Sequence, residues 1–172
     1  QCPAGSFRLT YDAADPADST RGCESDDEGD TDATALAVSA LLTVEPTDAV
    51  TTAIDDATAW LLEQQGDDGG FGGTGPTAAP NANTTGVAAR ALRAAGETEA
   101  ARLAAAYVET LQLDATSAAG TPAADDAGAI ALTTVVRTAA LGAGIDDGAR
   151  DQWRRATTQG VLALEAAPAV TP

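Results

Sequence analysis

The stretch from residue 60 to residue 73, WLLEQQGDDGGFGG, decides how this chain is interpreted. It closes an amphipathic run that predicts a helix over about residues 48–65. Side-chain amides satisfy backbone groups at a helix end, aspartates favour turns, and glycines permit positive φ. The motif therefore predicts a corner between two helices, with its aromatic residue plugging the seam. We call this corner a clasp, and its predicted members are Gln64, Gln65, Asp68, Gly69, Gly70 and Phe71.

Two further segments carry parts of the same pattern. Residues 1–7, QCPAGSF, repeat the order glutamine, glycine and phenylalanine, and predict the clasp of a preceding repeat whose outer helix is absent. Residues 111–120, LQLDATSAAG, keep Gln112 but have no aromatic residue, so we expect a degenerate third copy.

Three segments share a second pattern: a polar helix cap, then small residues, then aliphatic residues. Each is followed by a more amphipathic helix, which predicts an αα-hairpin occurring three times. The chain is therefore predicted to be all-α, with the lighter helix of each hairpin in an inner layer and the charged helix in an outer layer. The three segments are DTDATALAVSAL (30–41), NANTTGVAARAL (81–92) and ADDAGAIALTTV (124–135).

This pattern also sets the expected boundaries. Residues 1–29 form a leading loop that holds the remnant of a preceding repeat, and residues 167–172 form a flexible tail. The hairpin region is residues 30–166, divided as 30–80, 81–123 and 124–166. Asp30 or Asp32 caps the first inner helix and Asn83 or Thr84 the second. The last two helices are expected over about 125–141 and 147–165.

Composition narrows the classes of function. The 172 residues suit a single domain, and the net charge of −17 repels nucleic acid and anionic lipid, so neither partner is expected. No apolar run approaches the length needed to cross a bilayer. Only 3% of residues are aromatic, which favours closely packed, alanine-rich helices.

The two cysteines, Cys2 and Cys23, lie in a polar, turn-rich segment. A disulfide between them would close a loop of about 20 residues and contribute roughly 3 kcal/mol in the chain-entropy model. It would imply an oxidising compartment, and hence a secreted or cell-surface protein. A zinc site is the rival interpretation, but two thiolates without histidine do not complete one.

The clasp followed by NTTGVAARAL (83–92) resembles the repeat of protein prenyltransferases and squalene cyclases, related to the QW motif of triterpene cyclases. The resemblance covers about residues 1–165, is strongest in the middle repeat, and implies an α/α toroid, in which inner and outer helices form concentric rings. Because full members have about six hairpins, three would make an arc, a partial and non-catalytic member of the family. Its unclosed ends predict a homodimer or additional repeats of a longer chain.

The catalytic groups of that family do not carry over as a set. The cyclase acid motif resembles DTDATA (30–35), which makes Asp32 a weak candidate for the acid, although Ala33 replaces the last aspartate. The prenyltransferase zinc site needs a histidine, and this chain has none. A competing interpretation of Asp32 is a helix N-cap. Paired carboxylates, such as Asp125 and Asp126, leave a carbohydrate-active enzyme as another alternative.

The acidic segment ESDDEGDTD (24–32) is a weak calcium candidate through Asp26, Asp27, Glu28 and Asp30, and no other cofactor is expected. The leading hypothesis is a secreted or cell-surface, non-enzymatic αα-repeat domain that binds a small molecule or a protein on its inner-helix face. The alternatives are a degenerate terpene-cyclase-like or carbohydrate-active enzyme, and a structural spacer of a larger surface protein.

Overall fold

The computed structural model describes residues 1–9, 23 and 29–164. This part of the chain is helical and contains no strand, only one isolated bridge between Gln112 and Ile130, so the all-α prediction is confirmed. Short 3-10 turns lie at Gly75–Thr77 and Ala124–Asp126. The α-helices are α1 (Thr31–Leu41), α2 (Asp48–Gln64), α3 (Ala82–Ala94), α4 (Thr98–Leu111), α5 (Ala115–Ala118), α6 (Thr134–Ala143) and α7 (Arg150–Leu164).

The inner helices begin at polar caps. Asp30 caps α1 by accepting from the Ala33 amide at 2.8 Å. Asn81 caps α3 by accepting from the amides of Asn83 and Thr84, both at 3.1 Å. Of the two caps expected for α1, the structure therefore uses the first. The caps expected for α3, Asn83 or Thr84, were wrong by two or three residues, because Asn81 already satisfies the free amides of the first turn.

The helices pack in two layers. Helix α3 lies between α1 and α7, while α2 packs on α1 and α4 packs on both α3 and α7. The main core lies between these layers and is built chiefly from alanine, with Leu61, Phe71, Leu92 and Leu111 as its fully buried large side chains. Small side chains let the helix backbones approach closely, as the low aromatic content predicts.

The closest approach lies between α3 and α7. A Cβ built on Gly86 would collide with the Gln159 carbonyl and would lie 3.0 Å from Cα of Gly160. Both glycines are buried within their helices. Glycine normally weakens a helix, so its presence here reflects the contact between the two backbones.

The helix expected over 125–141 is wrong in its extent. It begins only at Thr134, after a cap at Thr133. The aliphatic residues that suggested an earlier start form an extended segment, in which the Ala131 amide donates to the Leu111 carbonyl at 3.0 Å and the Leu132 carbonyl accepts from Ala82 at 2.9 Å. Bonds to two other helices replace the bonds of a helix.

This segment also changes which helix is the inner one. Helices α6 and α7 do not pack as a hairpin, and α7 takes the place beside α3 that the earlier helix was expected to take. Residues 113–153 instead build a smaller second core around Leu113, Ala140 and Trp153. The division into three hairpins and the toroid stay predictions.

Candidate functional site

The middle clasp binds the backbone of α4. The Gln65 side-chain amide donates to the Gly69 carbonyl at 3.1 Å and to the Ala100 carbonyl of α4 at 2.9 Å. Gly69 has φ 85°, and a Cβ there would collide with the Leu103 carbonyl. One amide and one glycine therefore contact the outer helix by its main chain, and the ring of Tyr107 from the same helix lies against Gly70.

The other predicted clasp residues have separate roles. Asp68 accepts from the Gly70 amide at 2.9 Å, which shapes the turn. Phe71 is fully buried, and its amide donates to the Thr85 hydroxyl of α3 at 2.9 Å. Gln64 is exposed, and its side chain reaches only a carbonyl one turn back in α2, at 3.4 Å. It takes no part in the turn.

Residues 1–7 make the same hydrogen bonds. The Gln1 side-chain amide donates to the Gly5 carbonyl at 2.7 Å and to the Ala53 carbonyl of α2 at 3.0 Å. The Phe7 amide donates to the Thr34 hydroxyl of α1 at 2.9 Å. The sequence pattern thus corresponds to a shared geometry, in which each clasp joins one inner helix to one outer helix.

The third clasp is divided. Gln112 donates to the carbonyl of Gly128 at 3.2 Å, and the Ile130 amide donates to the Thr157 hydroxyl of α7 at 2.9 Å. The copy expected within residues 111–120 therefore begins there but ends ten residues later, with an isoleucine in the place of phenylalanine. An inserted segment containing α5 separates its two parts.

The three clasp glycines share a backbone conformation but not an environment. Gly5, Gly69 and Gly128 have φ values of 95°, 85° and 100°. The first two are buried under an outer helix, whereas Gly128 is exposed and has no atom within 4 Å of an ideal Cβ. Within the described residues, the third clasp has no outer helix over it.

Sequence reasoning missed the threonines that receive the clasps. Thr34, Thr85 and Thr157 occupy equivalent places on α1, α3 and α7. Thr34 and Thr85 each lie four residues after the N-cap of their helix, a spacing visible in the sequence. Thr157 is the eighth residue of α7, so this spacing identifies the first two receiving helices but not the third.

Polar side chains meet at the first turns of α1 and α3. Asp30 accepts from the Thr74 hydroxyl at 2.9 Å as well as from the amide that it caps. Asp32 accepts from the Thr84 hydroxyl of α3 at 3.3 Å. A Cβ on Gly73 would lie 3.4 Å from both partners of this second bond, so the loop after the middle clasp passes closely over the pair.

This arrangement perturbs one carboxyl group. Burial raises the pKa of Asp32, the negative charge of Asp30 raises it further, and the hydrogen bond from Thr84 opposes the change. One oxygen of Asp32, Oδ1, is buried without a hydrogen-bond partner, and so is the side-chain oxygen of Asn83 in the first turn of α3. Two acceptors therefore remain unsatisfied at one end of the inner layer.

A groove of about 340 Å³ lies beside this cluster. Its lining includes Thr31 of α1, Trp60 of α2, and Gly73 and Thr74 of the loop that covers the carboxylates. The lining is more polar than apolar in character, which suits a small hydrophilic ligand better than a hydrocarbon.

The remaining candidates bear on export and metal binding. Cys2 and Cys23 form the predicted disulfide, with their Cα atoms 4.8 Å apart. The calcium candidates Asp26, Asp27 and Glu28 lie outside the described residues, and Asp30 already bonds to a hydroxyl and a backbone amide. The described residues hold no group of three acidic, cysteine or histidine side chains placed to bind a metal ion.

None of the described helices combines the length and the hydrophobicity that a membrane span requires. Comparisons with protein-family models, with curated proteins and with solved structures find no match. The resemblance to the prenyltransferase and squalene cyclase repeat therefore stays a prediction.

Proposed function

We propose that this chain is a secreted or cell-surface, non-enzymatic αα-repeat domain that binds a small cationic ligand at the first turns of its inner helices. The observation that carries the proposal is the pair of buried, unsatisfied oxygens of Asp32 and Asn83. A buried acceptor without a donor costs about 1–3 kcal/mol, and a ligand that supplies donors recovers part of that cost.

Charge supports a cationic ligand. The net charge of −17 attracts cations towards the whole molecule. A positive charge beside Asp32 would oppose the rise in its pKa that burial causes, because the charge stabilises the carboxylate. An ammonium or guanidinium group provides both the charge and several N–H donors.

The surroundings of Asp32 support the non-enzymatic part of the proposal. Protonating an alkene requires a strong acid and aromatic faces that stabilise a carbocation. The chain has only two residues each of Phe, Trp and Tyr, and Phe71 and Tyr107 are buried in the helical core. The neighbouring Asp30 is held by its cap and by Thr74. Export is supported by the disulfide.

Titration calorimetry and amide NMR with butylammonium, guanidinium, Ca²⁺ and glycerol test the proposal. We expect the two organic cations to bind, with shifts at residues 31–33 and 82–85. Replacing Asp32 by Asn should weaken binding by about tenfold, a change of about 1.4 kcal/mol.

The matched control is Asp55→Asn, which removes the same charge from an exposed position on α2. If both substitutions weakened cation binding equally, the effect would come from the net charge of the protein, and the proposed site would be wrong. If Ca²⁺ bound and the two organic cations did not, the proposed organic ligand would be wrong and the site would bind a metal ion.

The raised pKa of Asp32 favours one other candidate, a degenerate cyclase-like enzyme that uses this carboxyl as an acid. Such an enzyme would turn over a polyprenyl substrate and lose turnover in the Asp32→Asn variant. Turnover that survives the substitution would exclude this residue as the acid.

A further inference from the structure

The exposed third clasp presents the same docking elements that hold α2 and α4 elsewhere in the molecule. In each of the other two clasps, a glutamine amide bonds a helix carbonyl, Ala53 or Ala100, and a glycine lies against the helix backbone three residues later in that helix. The third clasp has the glutamine, Gln112, and the glycine, Gly128, in the same mutual arrangement.

The inner side of this clasp is complete. We call the buried hydrophobic residue at the end of each clasp its peg, which is Phe71 in the middle clasp and Ile130 in the third. Ile130 is buried, and its amide bonds to Thr157 of α7 as the amide of Phe71 bonds to Thr85 of α3. Only the outer side differs, since Gly128 is exposed where Gly69 is buried. The conformation that favours glycine here is therefore kept without the close helix contact that accompanies it in the other two copies.

A groove of about 330 Å³ continues from Gly128 along α7. Its lining includes Trp153, Thr157, Arg150 and Arg154. Arg150 pairs with two aspartates, whereas Arg154 makes no ion pair with a described residue. Because Asp126 also lines the groove and Asp147 is the second partner of Arg150, Arg154 is the cation that favours an acidic side chain in an occupant of this groove.

We propose that this surface, formed by Gln112, Gly128 and the exposed side of α7, docks one amphipathic α-helix of a partner protein. The helix lies across Gly128 as α4 lies across Gly69, gives a backbone carbonyl to the Gln112 amide, and directs an acidic side chain towards Arg154. At the other two clasps the residue that meets the glycine is Leu103 or Asp56, so the contact is made by the helix backbone. Helix α4 itself, TEAARLAAAYVETL, provides such a backbone together with two glutamates.

The probe is a synthetic peptide with the sequence of α4, held helical by a side-chain lactam, because a free 14-residue helix is marginal in water. It is added to the full chain and its binding is followed by calorimetry and by amide NMR. We expect shifts at residues 126–130 and 150–158. The tethered α4 keeps the middle clasp occupied, because its effective concentration exceeds that of the free peptide.

Two variants and two controls define the site. Gln112→Ala should weaken peptide binding about tenfold, and Gly128→Ala should abolish it, because a Cβ would meet the docked backbone. Gly120→Ala is the matched control: it also has positive φ, at 73°, and open space around an ideal Cβ, so binding should be unchanged. A scrambled peptide should not bind.

Three outcomes would overturn the proposal. They are no binding by the peptide, binding that neither Gln112→Ala nor Gly128→Ala weakens, and a chain that sediments as a dimer which Gly128→Ala dissociates. The last result would make a second copy the occupant. Circular dichroism of both variants establishes that they fold, and Gln112→Ala changes no backbone conformation.

Discussion

The middle and third clasps use the same hydrogen bonds in opposite surroundings. Around residues 65–71, an outer helix covers the turn, whereas around Gln112 and Gly128 the outer side is open. On the inner side the two are equivalent, because a buried hydrophobic peg is bonded to a threonine in each. The difference shows that the inner and outer connections of a clasp are separate interactions.

The pegs provide the largest expected effect. Phe71→Ala should destabilise the protein by about 3–5 kcal/mol and Ile130→Ala by about 2–5 kcal/mol, because both side chains are fully buried. Chemical denaturation measures both. Val135→Ala, at a residue that is 78% exposed, is the control and should change little. If Ile130→Ala left the free energy of unfolding almost unchanged, the inner sides of the middle and third clasps would not be equivalent.

The glycines should separate the two clasps. Alanine at Gly69 or Gly128 carries the cost of positive φ, about 1–2 kcal/mol. At Gly69, collision with the Leu103 carbonyl adds about 1–3 kcal/mol more. Gly96→Ala, with φ 94° and open space around it, isolates the conformational part. Equal losses at the two clasp glycines would contradict the assigned difference in their outer sides.

Replacing the clasp glutamines should change stability by less than replacing the clasp glycines. Gln65→Ala removes bonds to two carbonyls and should cost about 1–2 kcal/mol, whereas Gln112→Ala removes one bond near the surface and should cost about 0.5 kcal/mol. Thermal unfolding of the variants compares them. Gln64→Ala serves as the control, because this neighbour is exposed and should contribute almost nothing. If it matched Gln65→Ala, the assignment of the clasp amide would be wrong.

The smallest effect concerns Asp32, which lies in the first turn of α1 and two residues before Thr34. The residue two positions before Thr157 on α7 is the exposed Arg155, in the second turn of that helix. Because the folded pKa of Asp32 is raised above 3.8, the native state holds this proton more tightly than the unfolded state. Its contribution to stability is therefore complete below pH 3.8 and is lost as the pH rises through the folded pKa.

Asp32→Asn should remove that loss. The free energy of unfolding of the variant, minus that of the natural chain, should be larger at pH 7 than at pH 3. The change should be less than about 1 kcal/mol, since solvent reaches part of the carboxyl group. Carboxyl NMR of Asp32 gives the titration directly. A midpoint at or below the ordinary value would contradict the assigned burial, and Asp55→Asn controls for net charge.

Much of the helical architecture could be predicted from the sequence. Helix α2 lies close to its expected limits, and α1 begins directly after one of its expected caps. Gly69, Gly70 and Phe71 could be placed because each has a local conformational or burial requirement that its residue type reveals. The disulfide could be predicted because only one pairing exists.

The third copy could not be placed, for a physical reason. Residues 129–132 are apolar enough for a helix, and they are held extended by bonds to residues distant in sequence, which are Leu111, Leu113, Ala82 and Thr157. The unsatisfied oxygens of Asp32 and Asn83 were also beyond sequence reasoning. Whether these oxygens find hydrogen-bond donors depends on side chains that are distant in sequence, and no local sequence pattern predicts that.

The contact of Gly86 with the backbone around Gly160 limits which substitutions the packed helices can accept. Because a side chain at Gly86 would collide with the main chain of α7, this one position sets how closely α3 and α7 can approach. Alanines elsewhere in the layer can exchange for residues of similar size while the two helices keep their separation. A change at Gly86 would instead move one helix as a whole, and with it the clasp threonine that it carries, whereas a Cβ on Gly160 would first meet the side chain of Ile130 at 3.1 Å.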